Sequence, residues 1–169
     1  METFQAITTR RTAKAFADPG PTAAQIDELL RLAACAPDHK KLTPWRTRVF
    51  TDHSPELAAL LIEAEHARAR DTGEDVHPDA EDRLRIKATR APTTIVISCQ
   101  QQGDVIPLVE QLLACGAFTQ TLLLAATAMG FVSKWSSGRA ARDPWVKAAL
   151  GIAPEDEIIG FIYLGSPAQ

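Results

Sequence analysis

The sequence is short of the residues that most often announce a chemistry. It holds three cysteines and four histidines in 169 residues. Cys35, Cys99 and Cys115 are an odd number with no C-x-x-C pairing, which excludes a disulfide framework and reads as reduced thiols in a cytoplasmic protein. His39, His53, His66 and His77 are scattered without metal-ligand spacing, so no metal site is expected. There is no G-x-G-x-x-G, no G-x-x-x-x-G-K-[ST] and no G-x-S-x-G, which removes the Rossmann fingerprint, the P-loop and the serine-hydrolase elbow. An excess of positive charge is missing too. Eighteen Lys and Arg stand against 21 Asp and Glu, a net −3 that excludes nucleic-acid binding by bulk charge.

The N-terminus, METFQAITTRR, has no apolar run of the signal-peptide kind. One uncharged stretch of eighteen residues, Leu112 to Met129, has the length of a membrane span. It carries Thr119, Gln120, Thr121 and Thr127, which would need hydrogen-bond partners in lipid, and its flanks lack a positive-inside bias. It reads as a buried helix, and no membrane association is expected.

What is present describes an ordinary globular chain, 46% apolar and 23% charged. A chain of this length is expected to form one domain over residues 1–169 and to bury about 70% of its unfolded surface. The charge is unevenly placed: residues 1–48 hold eight Lys or Arg against five acids, while the rest hold ten against sixteen. A basic first third on an acidic protein points to a local anion site.

Local signals set the order of elements. Glu2 to Thr8 reads as a short helix, ended before the basic run Arg10-Arg11, and Asp18-Pro19-Gly20-Pro21 is a hard stop. Thr22 and Gln25 form a capping box opening a helix to Cys35. Arg46 to Phe50 is a strand; Ser54-Pro55 opens a helix to Asp71, and a charged helix covers Asp79 to Thr89. Thr93 to Cys99, TTIVISC, is a central strand. The helix from Pro107 to Met129 is apolar nearly all round and must be covered on every side, in part by a second subunit. Phe131 to Trp135 is a strand, Asp143-Pro144 caps a helix to Leu150, and Ile158 to Leu164 is the last strand. Such irregular interleaving predicts an α+β fold with helices on both sides of the sheet rather than a doubly wound parallel one.

Three segments carry candidate chemistry. Arg10-Arg11-Thr12-Ala13-Lys14 sets three cations and a hydroxyl within five residues, a donor set for phosphate or a basic surface turn. The proline-flanked loop with His39, Lys40 and Lys41 leads into Trp45, which offers an aromatic face or anchors the loop. Lys134-Trp135-Ser136-Ser137-Gly138 follows a strand, where backbone N–H groups can meet a ligand. Cys35 and Cys99 read as small buried residues, and His53, His66 and His77 as solvated ones.

In order and spacing, these elements resemble the nitroreductase family of FMN flavoproteins, in particular its short YdjA-like branch. The resemblance runs through TTRRTAKAF at 8–16, APDHKKLTPW at 36–45, GFVSKWSSG at 130–138 and EDEIIGFIYLGSP at 155–167. It implies a homodimer of an α+β fold, with a mixed, mainly antiparallel sheet and an FMN at each of two interface sites. It also implies that Arg10, Arg11 and Thr12 hold the flavin phosphate and ribityl chain and that Lys14 meets the pyrimidine edge of the ring. Cys35, His39 and Lys41 would reach the flavin from the second subunit, and Trp135, Ser136 and Ser137 would form a third contacting element. NAD(P)H would reduce the flavin, and a nitroaromatic, quinone or other electron-poor small molecule would reoxidise it in a ping-pong cycle. No protein nucleophile is then required, and no residue is expected to be catalytic in its own right. Relatives carry arginine where this chain has Cys35 and Ser136, and longer ones continue past the position of Gln169 with further basic residues. Those departures keep open a specialised flavoenzyme of the same fold, of dehalogenase, dehydrogenase or flavin-fragmenting type, and a non-catalytic flavin-binding protein.

Overall fold

The computed structural model describes residues 1–103 and 106–168; Gln169 lies outside them. The chain runs α1 (Thr3–Thr9), β1 (Phe16–Ala17), α2 (Ala23–Ala33), β2 (Trp45–Phe50), α3 (Pro55–Thr72), α4 (Ala80–Ala88), β3 (Thr93–Cys99), α5 (Leu108–Ala128), β4 (Val132–Ser136), α6 (Pro144–Ala149) and β5 (Glu157–Pro167). Short 3-10 turns occupy His39–Lys41 and Arg139–Arg142.

The sheet order is β1-β5-β3-β2, with β4 also paired to β5, and each of these strand pairs is antiparallel. A parallel bridge between Thr12 and Ser133 is what makes the sheet mixed. Every residue of β3 is buried, because its β-branched and apolar side chains are covered on both faces. Ile95 and Ile97, with Ile162 and Leu164 of β5, pack against Leu29 of α2 and Phe118 and Leu122 of α5. On the other face, Val96, Phe161 and Tyr163 pack against Leu57 and Leu61 of α3 and Val146 of α6. This is the α+β architecture with helices on both faces that the sequence predicts.

The capping signals operate as expected. Thr22 accepts from the Gln25 N–H while the Gln25 side chain accepts from the Thr22 N–H. Ser54 accepts from the Leu57 N–H, and Asp143 from those of Trp145 and Val146. Three features depart from expectation. β1 has two residues, too few to show a periodicity, and forms because Phe16 and Ala17 face Pro167 and Ser166. That pairing also carries β5 three residues beyond Leu164. His53 is not simply solvated: its Nδ1 lies 2.9 Å from the Thr89 carbonyl and its Nε2 3.1 Å from Asp18.

The Thr89 carbonyl, then Asp18, raise the pKa of His53 above the ordinary imidazole value. A raised folded-state pKa makes a contribution that is full below the unfolded value, about 6.5, and is lost as pH rises through the folded one. The melting-temperature gap between the native protein and His53→Ala should therefore be widest below about pH 6 and narrow on the alkaline side. A gap that does not change across that range refutes the assignment.

Gly160 in β5 is required by Trp135 of β4. The Trp135 indole N–H donates to the Ile159 carbonyl at 3.0 Å, and a Cβ at position 160 would run into the indole ring. Gly160→Ala should displace Trp135 and destabilise the fold by about 1–3 kcal/mol, read as a lower urea midpoint with altered tryptophan emission.

Candidate functional site

The first and third candidate segments meet on β4. Past α1 the chain crosses its outer edge, where Thr12 bridges Ser133 and the Ala13 N–H donates to the Ser133 carbonyl at 2.9 Å. The bridge is parallel, so Lys14 lies in the direction of Trp135 and Arg10 in that of Gly130. Arg11 folds back onto its own helix end, donating to the Thr8 and Arg10 carbonyls at 2.8 Å each. Arg11, Thr12 and Lys14 are exposed and Arg10 is half-exposed. None of the three cations forms an ion pair among the described residues.

Trp135 remains 37% exposed although its N–H is satisfied, so part of the indole is left open to a neighbour. Ser136 belongs to β4, one residue beyond the expected strand end, and Ser137 and Gly138 lead to the 3-10 turn. Ser133, between the two segments, is 1% exposed, and its Oγ has no hydrogen-bond partner. Arg10, Arg11, Thr12, Lys14, Trp135, Ser136 and Ser137 therefore form one group along β4.

Cys35, His39 and Lys41 are not part of that group. Cys35 is exposed just after α2 and its thiol points back to the Arg31 carbonyl at 3.7 Å, which corrects the expectation of a buried side chain. Position 35 lies on the outer rim of the helix end, where burial cannot be read from residue type. Cys99 and Cys115 are buried as expected. Lys40, Lys41 and Thr43 hold φ of 57°, 55° and 47°, a left-handed run that non-glycine residues seldom adopt. Asp38 clamps it by accepting the Thr43 N–H at 2.6 Å, and Gln102 donates to the Leu42 carbonyl at 3.0 Å. Lys40 and Lys41 are left facing solvent. Trp45 stacks on Phe118 with centroids 4.9 Å apart, so it anchors the loop to the core.

His39 meets Glu110, in the first turn of α5, at 2.6 Å through Nδ1. Glu110 escaped the sequence reading because it stands 71 residues away, with only its place at a helix start to mark it. The pair borders an open cavity of about 460 Å³ lined by Pro37, Leu113, Ala114 and Ala117. At the other end of α5, the Ala126 carbonyl accepts the Phe131 N–H where the chain enters β4. Glu110 and Ala126 are separated by about 24 Å of helix axis. His39 and the Thr12–Ser133 junction thus belong to opposite ends of α5.

Residues 7–166 match the model of the nitroreductase family. YdjA of Escherichia coli (strain K12), classed by name among NAD(P)H nitroreductases, is 34% identical over 169 residues, covering 99% of this chain and 89% of that one. The fold is shared with a nitroreductase-like family protein of Bacillus cereus, at a TM-score of 0.82 and 23% identity over 100% of this chain and 87% of that one. It is shared too with a nitroreductase-type protein from Desulfovibrio desulfuricans solved in complex with FMN, at a TM-score of 0.76 and 21% identity over 100% of this chain and 88% of that one. The chain belongs to the nitroreductase family and has the oxidoreductase fold of that family.

Proposed function

We propose that this protein is an FMN-dependent NAD(P)H oxidoreductase acting on nitroaromatics, quinones or similar electron-poor acceptors, as one domain paired with a second copy of itself. The observation that carries this reading is the β4 group: three solvent-accessible cations without carboxylate partners among the described residues and a threonine hydroxyl, set beside a partly open indole. That donor set fits FMN, which combines a phosphate with a flat aromatic ring.

Arg10, Arg11 and Thr12 would hold the phosphate and ribityl chain, and Lys14 would lie against the pyrimidine edge of the ring. The chemistry supplied by the flavin when bound is hydride transfer, first from NAD(P)H and then to the acceptor. The residues of this chain orient and bias that transfer. A fixed ammonium at Lys14 favours the more negative, reduced form of whatever it touches. Trp135, Ser136 and Ser137 would align the ring, which contributes by orientation and not by a protein nucleophile.

The separation along α5 supports assembly of each site from two subunits. One copy cannot bring His39 and Cys35 to its own Arg10 group, whereas a second copy across α5 would present them. Val109 and Leu113 of α5, 60% and 68% exposed, give an apolar surface by the His39 loop that such a copy would cover, and Phe4 and Ile7 of α1 are 85% and 53% exposed. Glu110 would then position His39, leaving its Nε2 to face the partner's flavin.

The purified protein should be yellow, with an absorbance that NAD(P)H bleaches in the absence of air. Protein that remains colourless after incubation with FMN refutes the reading. Arg10→Ala should weaken FMN binding by about 1.5–3 kcal/mol, measured by flavin fluorescence titration, because it removes hydrogen bonds to a charged group. Lys14→Ala should lower the reduction potential of the bound flavin more than it weakens binding of the oxidised form, checked by dye-equilibration titration.

A further inference from the structure

A second group of cations lies on the opposite face of β4 from Trp135. Lys134 and Tyr163 are directly opposed in the β4–β5 register, so their side chains stand on the same face of the sheet. The Arg90 guanidinium lies over the Tyr163 ring, 5.5 Å from its centroid. Lys87, in the last turn of α4 three residues before Arg90, is half-buried and within reach of the charges of Arg90 and Lys134. Burial first, and then the charges of Arg90 and Lys134, hold its ammonium below the ordinary lysine range.

Two of the least exposed cations of this protein are paired with carboxylates. Arg68 has Glu65 and Glu74, and Lys147 has Glu157. Lys87, Arg90 and Lys134 have no ion pair and no side-chain hydrogen bond among the described residues, and the charges acting on Lys87 are both positive. Two like charges acting on a half-buried lysine are unfavourable unless an external anion offsets them. A single carboxylate would leave two of the three cations uncompensated. A phosphate dianion offers several acceptors, including a pair matched to the arginine fork. The place also adjoins the β4 group. Ser136 shares the Lys134 face about 7 Å along the strand, and Ile86, 67% exposed on α4, gives the neighbouring surface an apolar element.

We propose that Lys87, Arg90 and Lys134 form a phosphate-binding site on the Ser136 face of β4. Its phosphate would come either from the flavin or from the nicotinamide dinucleotide, and the choice between these rests on the function proposed above. In the first case the cluster would act on the flavin phosphate together with Arg10, Arg11 and Thr12, supplying charge that this chain lacks at Cys35 and Ser136. In the second it holds the reductant while its nicotinamide lies over the ring.

Arg90→Gln and Lys134→Gln, singly and together, separate the sources. The flavin-depleted protein is titrated with FMN and with riboflavin, which has no phosphate, and the loaded protein is assayed with NADPH and NADH. Loss of about tenfold or more in FMN affinity with riboflavin affinity unchanged assigns the flavin phosphate. Unchanged FMN affinity with a KM for NADPH or NADH raised about tenfold at constant kcat assigns the reductant. If neither quantity moves by more than about twofold, the site does not exist as proposed. A third measurement is independent of flavin and of whether the double variant folds. In an Arg10→Ala background, which removes the other proposed phosphate contact, inorganic phosphate should still raise the melting temperature above that in chloride at equal ionic strength, and adding Lys87→Gln should abolish the difference. Protein that does not take up FMN on incubation but still shows this shift overturns the proposed function and keeps the site; absence of the shift, with unaltered FMN and NAD(P)H binding in the variants, overturns the site alone.

Discussion

A helix that is apolar nearly all round dictates much of this structure. The stretch from Leu112 to Met129 has no charged residue to place in water, so α5 has to be enclosed. The sheet encloses it through Ile95, Ile97, Ile162 and Leu164, and α2 adds Leu29 and Ala33. The surface of Val109 and Leu113 stays open, and Phe4 and Ile7 of α1 are exposed as well. Burying about 100 Å² of such surface is worth about 2.5 kcal/mol, which gives this open edge a direct energetic reason to meet another copy.

The same helix separates the functional groups. His39 and Glu110 mark its beginning, and the Thr12–Ser133 junction follows its end. β4 is the element that converts this arrangement into a site. Its pairing with β5 holds it on one side, and on the other the Thr12 crossing lays the basic segment beside it. Strand alternation then divides its side chains, with Ser133 and Trp135 on one face and Lys134 and Ser136 on the other. The flavin chemistry proposed for this protein needs oriented donors more than it needs a nucleophile, and oriented donors are what β4 would supply.

Much of the local architecture was legible because its causes are local. Thr22 with Gln25, Ser54 with Pro55, and Asp143 with Pro144 each mark a helix start by satisfying N–H groups within three residues. The continuous β-branched run at 93–99 could be read as a buried strand because no polar residue interrupts a face. The Arg10 to Lys14 segment stood out by charge density alone. The position of Cys35 did not, nor did the partners of His53, since exposure at a helix end and contacts across 35 or 36 residues have no local signature. Glu110 is the same case at a separation of 71 residues.

By itself the amino-acid sequence determined the order of elements, the helix caps, the central strand, the enclosed helix and the family motifs, because these follow from short-range hydrogen bonding and from hydrophobic periodicity. Tertiary structure alone decided which motifs share a site. It joined Arg10, Thr12 and Lys14 to Trp135 and kept His39 apart, because the length of α5 fixes their separation. It also set Lys87 and Arg90 beside Lys134, through strand register and the packing of α4, neither of which is written in any one segment of the chain.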